Sequence, residues 1–268
     1  MKITRFKLGD AVAYGDLRDD GTIERLSGSP FDGEVRLTGT YVAASDVRLL
    51  APVENPRIFG AGFNYVSHIK ETGWDMPPVP ILFVKPESAL AGPNDPIVYP
   101  KLGEVIHYEA ELVAVIGRTA RRVSEADALD YVLGYTCGND VSDRLIQKEE
   151  MRFGCLFAGK AFDTFAPLGP VISTGLNPGN LEIVGRLNGE VKQRGNTSDL
   201  LFSVPRLIAY LSSFMTLVPG DVIMTGTPSG VGPIKPGDVF EVEIEGIGTL
   251  SNPVVAEQYR VLLPGAGG

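Results

Sequence analysis

Histidine occurs only twice in the 268 residues, at His68 and His107, so a metal centre built on several imidazoles is excluded by count. Cysteine is equally scarce. Cys137 and Cys155 form neither a CxxC pair nor a disulfide framework, and reduced thiols in a cytoplasmic protein are the expectation. No apolar run approaches the roughly 20 residues needed to cross a bilayer, and no basic start leads into an apolar stretch as in a signal peptide, so no membrane partner is expected. Basic stretches are also missing. Lys and Arg number 24 against 33 Asp and Glu, a formal net charge of -9, which is the wrong sign for a nucleic-acid surface. A chain of this charge binds a small anion only where a local positive element, such as a metal, supplies the attraction. Common nucleotide and hydrolase signatures fail as well. Gly154, Gly159 and Lys160 fit GxxxxGK, but Ala161 stands where a P-loop needs Ser or Thr, and the intervening Cys-Leu-Phe-Ala is apolar. Gly60-Ala61-Gly62 lacks the third glycine of a dinucleotide fingerprint, and there is no GxSxG elbow.

The sequence is instead rich in short apolar runs bounded by Gly and Pro. Residues 1–50 read as a small β-rich domain, with KITRFKL and AVAYGDL alternating around Gly9-Asp10 and a hairpin signal at Asp20-Gly21. Two prolines in residues 51–57 mark a linker. Residues 58–268 form the second, larger domain, with strand-like runs such as ILFVK, ELVAVIG, DVIMTG and DVFEVEIEG. Three segments have helical patterns: Asn64 to Thr72, stopped by Gly73; Ser124 to Leu133, with Ser124 as a cap; and Ser203 to Phe214, with Pro205 in its first turn. Many strands and few helices predict a β-rich α+β fold with peripheral helices.

Within HYEAELVAVIG, Glu109 and Glu111 stand two residues apart. Side chains at that spacing on a strand share a face, so the pair either looks into solvent or surrounds a cation that relieves the repulsion. Asp140 follows a Gly-Asn turn where the apolar stretch YVLGYTCG ends, and would complete an all-oxygen set suited to Mg²⁺ or Mn²⁺ rather than Zn²⁺. In GFNYVSHIKETG, His68 and Glu71 are helix neighbours at i and i+3, an arrangement in which a carboxylate can orient an imidazole as a general base. The Gly- and Thr-rich loop after DVIMT, with Thr227, is either a plain turn or an anion cradle.

Taken in order, FNYVSHIKE, ILFVKPESALAGPNDPI, HYEAELVAVIG, GYTCGNDVSDR with Gln147, GKAFDTFAPLGP, the LNGEVKQRGNTSD to TGTPSGVG stretch and PGDVFEVEIEGIGTLSNPV resemble the fumarylacetoacetate hydrolase family over residues 58 to 256. The resemblance implies a mixed β-sandwich roll with a small amino-terminal domain, a homodimer, and a divalent metal, Mg²⁺ or Mn²⁺, held by Glu109, Glu111 and Asp140. It also implies His68 and Glu71 as the catalytic dyad with Lys160 beside them, and Arg144, Gln147 and Thr227 as substrate contacts. Two departures stand out. The usual VSARDLQ reads VSDRLIQ, with Asp143 for Ala and Leu145 for Asp, and residues 148–157 lack the common pattern.

The implied substrate is a small 2-oxo acid that chelates the metal through its carboxylate and oxo oxygens, so that an enolate is stabilised when a bond at C3 breaks or forms. Hydrolysis, decarboxylation and isomerisation share that enolate. Because a water-activating dyad is present, C–C hydrolysis of a 2,4-dioxo acid leads, with Lys160 stabilising the oxyanion. Oxaloacetate decarboxylation, or isomerisation or decarboxylation of a 2-hydroxy-dienedioate or 2-oxo-enedioate, is the alternative. A non-catalytic metal-binding protein is the reading of a different class.

Overall fold

A computed structural model describes residues 1–258. The apolar runs form a 12-stranded sheet whose main path runs, in space, through Leu37–Ala43, Thr22–Leu26, Ala11–Leu17, Lys2–Leu8, Ala166–Ser173, Val132–Asn139, Ala110–Ile116, Val222–Met224, Ile58–Gly62 and Ile81–Lys85. Neighbours on this path are antiparallel except Val222–Met224, which lies parallel to Ile58–Gly62. A five-stranded sheet holds Glu190–Asn196, Glu182–Leu187, Val239–Ile244, Gly248–Ala256 and Ile97–Tyr99, the last two parallel.

Strand Ala110–Ile116 is buried along its whole length. Leu112, Ala114 and Ile116 join Ile183, Val242 and Ile244 of the second sheet in one core, whereas Val113 and Val115 join Ile3, Ile58 and Met224 in another. The period-2 alternation therefore separates two cores across one strand, and burial on both faces explains why its sequence is a continuous apolar run. The architecture is the expected β-rich sandwich of mixed sheets.

Three α-helices stand among the described residues: α1 (Val66–Thr72), α2 (Arg144–Met151) and α3 (Val204–Phe214). The side chain of Ser203 caps α3 by accepting from Arg206 N–H, and its buried face is Val204, Leu207, Ile208 and Leu211. Helix α1 ends at Gly73, whose left-handed φ of 73° lets its N–H reach the Ile69 carbonyl. It begins two residues later than the sequence pattern predicts, because Asn64 braces neighbouring loops instead.

Two expectations differ more. Ser124 to Leu133 is not a helix. Only a 3₁₀ turn forms, at Ala128–Tyr131, and Val132 and Leu133 enter the strand that pairs with Ala110–Ile116. Ser124 Oγ instead closes a local turn on Asp127. Conversely, α2 was hidden from a periodicity reading because it buries no residue. What starts it is Asp143, whose carboxylate accepts from the N–H groups of Leu145 and Ile146, so the departure from the usual family pattern at this position is an N-cap.

Residues 1–50 pack as part of the whole. Lys2–Leu8 pairs with Ala166–Ser173, and Tyr14, Leu26 and Val53 share a core with Val113. Residues 51–57 contain no strand, yet Ala51, Pro52, Val53 and Pro56 are buried, so the connection is packed rather than loose. Among the described residues no helix is long and apolar enough to cross a membrane.

Candidate active site

Cross-strand register brings the three carboxylates together. Ala110 pairs with Asn139, which sets Glu109 and Asp140 side by side at the strand ends. Asp140 N–H donates to the Glu109 carbonyl at 2.9 Å, and Glu109 N–H donates to Asn139 Oδ1 at 2.9 Å. Glu109, Glu111 and Asp140 are 5%, 2% and 1% exposed, so the solvent-facing alternative for the glutamates does not hold. One oxygen from each lies within 4.8 Å of the others. Three buried, converging carboxylates with oxygen donors only fit a hard divalent cation such as Mg²⁺ or Mn²⁺.

Two lysines share that space. Lys160 Nζ donates to Glu109 Oε2 at 2.8 Å and to Asp140 Oδ2 at 2.5 Å. Lys85, which the motif reading overlooked, is fully buried and donates to Asp140 Oδ1 and to the Val141 carbonyl at 3.0 Å. Its signal lay in the alternation of ILFVK, which places Lys85 on the buried face with Phe83. The two ammonium groups respond differently. Burial lowers the Lys85 pKa beyond what Asp140 restores, whereas for Lys160 the same burial is outweighed by Asp140 and Glu109 together, and its pKa is raised. Among the carboxyls, burial would raise Glu109, but Arg144 and Lys160 overcome it and hold Glu109 below the ordinary range. Glu111 receives Gly226 N–H at 2.8 Å, yet burial, then Asp140 and Glu109, push it well above the ordinary range. Of the three carboxylates, it is the one whose charge the chain's own groups compensate least.

His68 and Glu71 are in contact across one turn of α1. His68 Nδ1 lies 3.0 Å from Glu71 Oε2, and the other Glu71 oxygen accepts from Gly230 N–H at 3.0 Å. Glu71 thus ties α1 to the loop that follows Val222–Met224. Asp199 caps the start of α1 by accepting from Ser67 N–H, and Asn64 Nδ2 donates to the Thr225 and Phe202 carbonyls. Asn64 and Asp199 were not singled out from sequence. His107 also lines the cavity, but burial and then the Arg144 charge push its pKa down to about 4, so it is a neutral imidazole near pH 7.

The remaining sequence candidates divide. On α2, Arg144 donates to Glu109 Oε1 at 2.5 Å and to Gln147 Oε1 at 2.8 Å, which places both on the cavity wall. Thr227 also lines the cavity, but its hydroxyl already donates to the Ala110 carbonyl and accepts from Gln193 Nε2. Together with Gly226 on Glu111 and Gly230 on Glu71, this loop spends much of its hydrogen bonding on the carboxylate framework. The cavity has a volume of about 500 Å³. Its deep end holds the carboxylates and Lys160. Its outer wall presents Phe63, Trp74, Met151 and Leu156, with Lys148 and Arg152 as cations.

Residues 57–255 match the family model described as fumarylacetoacetate (FAA) hydrolase C-terminal, and residues 1–52 match one described as Rv2993c-like, N-terminal. Similar solved structures include a 5-carboxymethyl-2-hydroxymuconate delta-isomerase from Mycobacterium smegmatis, 43% identical, with a TM-score of 0.89 over 96% of this chain and 100% of the other. They also include a maleylpyruvate hydrolase from Sphingobium in complex with manganese (II) ion and pyruvate, 31% identical, with a TM-score of 0.79 over the same shares. Among curated proteins, the mitochondrial oxaloacetate tautomerase fahd2 of Xenopus laevis is 44% identical over 225 residues, 80% of this chain and 70% of the relative. The motif order, the sandwich and these relatives agree along nearly the whole chain, which places the protein in the fumarylacetoacetate hydrolase family.

Proposed function

We propose that the protein is a divalent-metal-dependent isomerase that shifts a proton between carbon positions, or between keto and enol forms, of a 2-oxo dicarboxylate. The observation that carries this reading is the meeting of His68, backed by Glu71, and the buried carboxylate triad in one cavity. Glu109, Glu111 and Asp140 would hold Mg²⁺ or Mn²⁺, which when bound supplies Lewis-acid polarisation of the oxo and carboxylate oxygens. The protein's own groups do the rest. Glu71 accepts from His68 Nδ1–H, which fixes the tautomer with Nε2 as the base. Nε2 takes a proton from C3 of the 2-oxo form, and the resulting imidazolium returns it at the C2 oxygen for the keto–enol change, or at C5 where a C4=C5 double bond extends the enolate, so the shift is balanced within one base. The Lys160 ammonium offsets the enolate charge. Arg144 and Gln147 line the wall that orients the substrate. Lys148 and Arg152 at the outer wall suit a second carboxylate beyond an apolar spacer, and the M. smegmatis structure carries the name of an isomerase for such an acid.

Hydrolysis of a 2,4-dioxo acid is the second reading, with His68 activating water at C4. It is supported by the likeness to the maleylpyruvate hydrolase, but that protein is 31% identical, whereas the named isomerase and tautomerase are 43% and 44% identical. One experiment orders the readings. The protein with Mg²⁺ is given oxaloacetate, a 2-hydroxy-dienedioate and maleylpyruvate in D₂O, and NMR follows both C3 deuteration and C–C cleavage. Fast deuteration without cleavage is the expected result. Cleavage of maleylpyruvate to maleate and pyruvate as the main event would favour hydrolysis, and no turnover above free metal with any acid would overturn both.

A further inference from the structure

Lys160 must place its Nζ between two buried carboxylates, yet it follows one of the least packed stretches near the site. Residues 152–157 leave α2 without regular structure, and Phe153 and Phe157 are 80% and 54% exposed. Apolar packing therefore does not hold this segment in place. Both oxygens of Glu150 do something else. Oε1 accepts from Ala158 N–H at 2.7 Å, while Oε2 accepts from Gly159 N–H at 3.0 Å and from Phe157 N–H at 3.2 Å. Three successive N–H groups converge on one carboxylate, an anion nest filled by a side chain of the protein itself. The Glu150 carbonyl adds two more anchors, accepting from Phe153 and Cys155 N–H. The turn Ala158–Lys160 is then pressed against α2. A Cβ at Gly159 would lie 2.7 Å from Gln147 N and 2.9 Å from the Asp143 carbonyl, so no larger residue fits. Glu150 itself is not part of the cavity wall.

We infer that Glu150 is a positioning residue that fixes the Lys160 backbone onto α2, so that one short helix aligns Arg144 and Gln147 from one side and Lys160 from the other. Charge-assisted bonds replace the packing that this loop lacks. The inference rests on the proposed role of Lys160 in offsetting enolate charge.

The test uses the full chain with Mn²⁺ and compares Glu150→Gln, Gly159→Ala and Lys160→Ala. Glu150→Gln keeps the size but removes the charge and one acceptor. Its expected signature is faster amide exchange at residues 157–159, a kcat lower by roughly tenfold or more, and a KM and Mn²⁺ affinity changed by less than about threefold. Gly159→Ala should give the same pattern by lifting the turn from α2. Glu150→Asp, which keeps the charge on a shorter arm, should recover part of the lost kcat. Unchanged exchange at 157–159 in Glu150→Gln would overturn the inference. So would a uniform loss of kcat, Mn²⁺ affinity and thermal stability, which marks a general structural role. If Lys160→Ala retained full kcat, the role of Lys160 in the proposed function would fail, while the exchange data would still report whether Glu150 holds the turn.

Discussion

The two ends of the cavity are made of different material. The deep end is built on strands: Glu109, Glu111, Asp140 and Lys85 stand on or beside long paired segments, buried on both sides and cross-braced by backbone and ion-pair contacts. The mouth is built on two short helices and on irregular stretches, with residues 73–79 almost wholly exposed and α2 burying nothing. The three carboxylates, which converge within 4.8 Å, are placed by strand register, which leaves little freedom. The outer wall of the cavity is made of segments that can change without disturbing the sheet. The departure of residues 148–157 from the common family pattern falls on the second kind of material.

Four experiments bear on this contrast. The largest expected effect comes from the mouth. His68→Ala should lower C3 deuteration by about 10²- to 10⁴-fold, because the base is lost. Mn²⁺ and oxalate binding, measured by calorimetry, should survive, and their loss would mean that the helix supports the deep end as well. At the deep end, Lys85→Met leaves Asp140 Oδ1 and the Val141 carbonyl unpaired. A loss of about 3–5 kcal/mol is expected in urea unfolding of the metal-free protein. A neutral result would show the buried lysine to be dispensable for the fold. Glu109→Gln removes one carboxylate charge and should weaken Mn²⁺ binding by at least about 100-fold while circular dichroism is retained. Unchanged affinity would remove Glu109 from the ligand set. The smallest effect concerns motion. Amide exchange at residues 73–80 should be fast and slow modestly with Mg²⁺ and oxalate, whereas Leu112–Ile116 should stay protected throughout. Equal protection in both regions would erase the contrast.

The same division decided what could be read from sequence. The pairing of Glu109 with Glu111 follows from the strand period, and the three-carboxylate set from their meeting with Asp140 after a turn. The His68–Glu71 pair follows from helix spacing. Lys85 was missed because a lysine in an apolar strand reads as a terminus, and only its tertiary partner Asp140 justifies burying it. Helix α2 was missed because no apolar stripe marks it; its start is fixed by the Asp143 carboxylate and the turn beyond its end by Glu150. The helix expected at Ser124 failed for the opposite reason. Its Val132 and Leu133 matched a helical face, but long-range pairing with Ala110–Ile116 claimed them.

The pairing of Lys2 and Ile3 with Ser173 and Ile172 has a consequence for how the amino-terminal segment is regarded. Without residues 1–50, the Ile172–Ser173 end of strand Ala166–Ser173 would present unpaired backbone groups at the rim of a long sheet. Such an open edge recruits any other strand it meets. The amino-terminal module thus serves as an edge guard, and a truncated chain is expected to lose solubility before it loses chemistry.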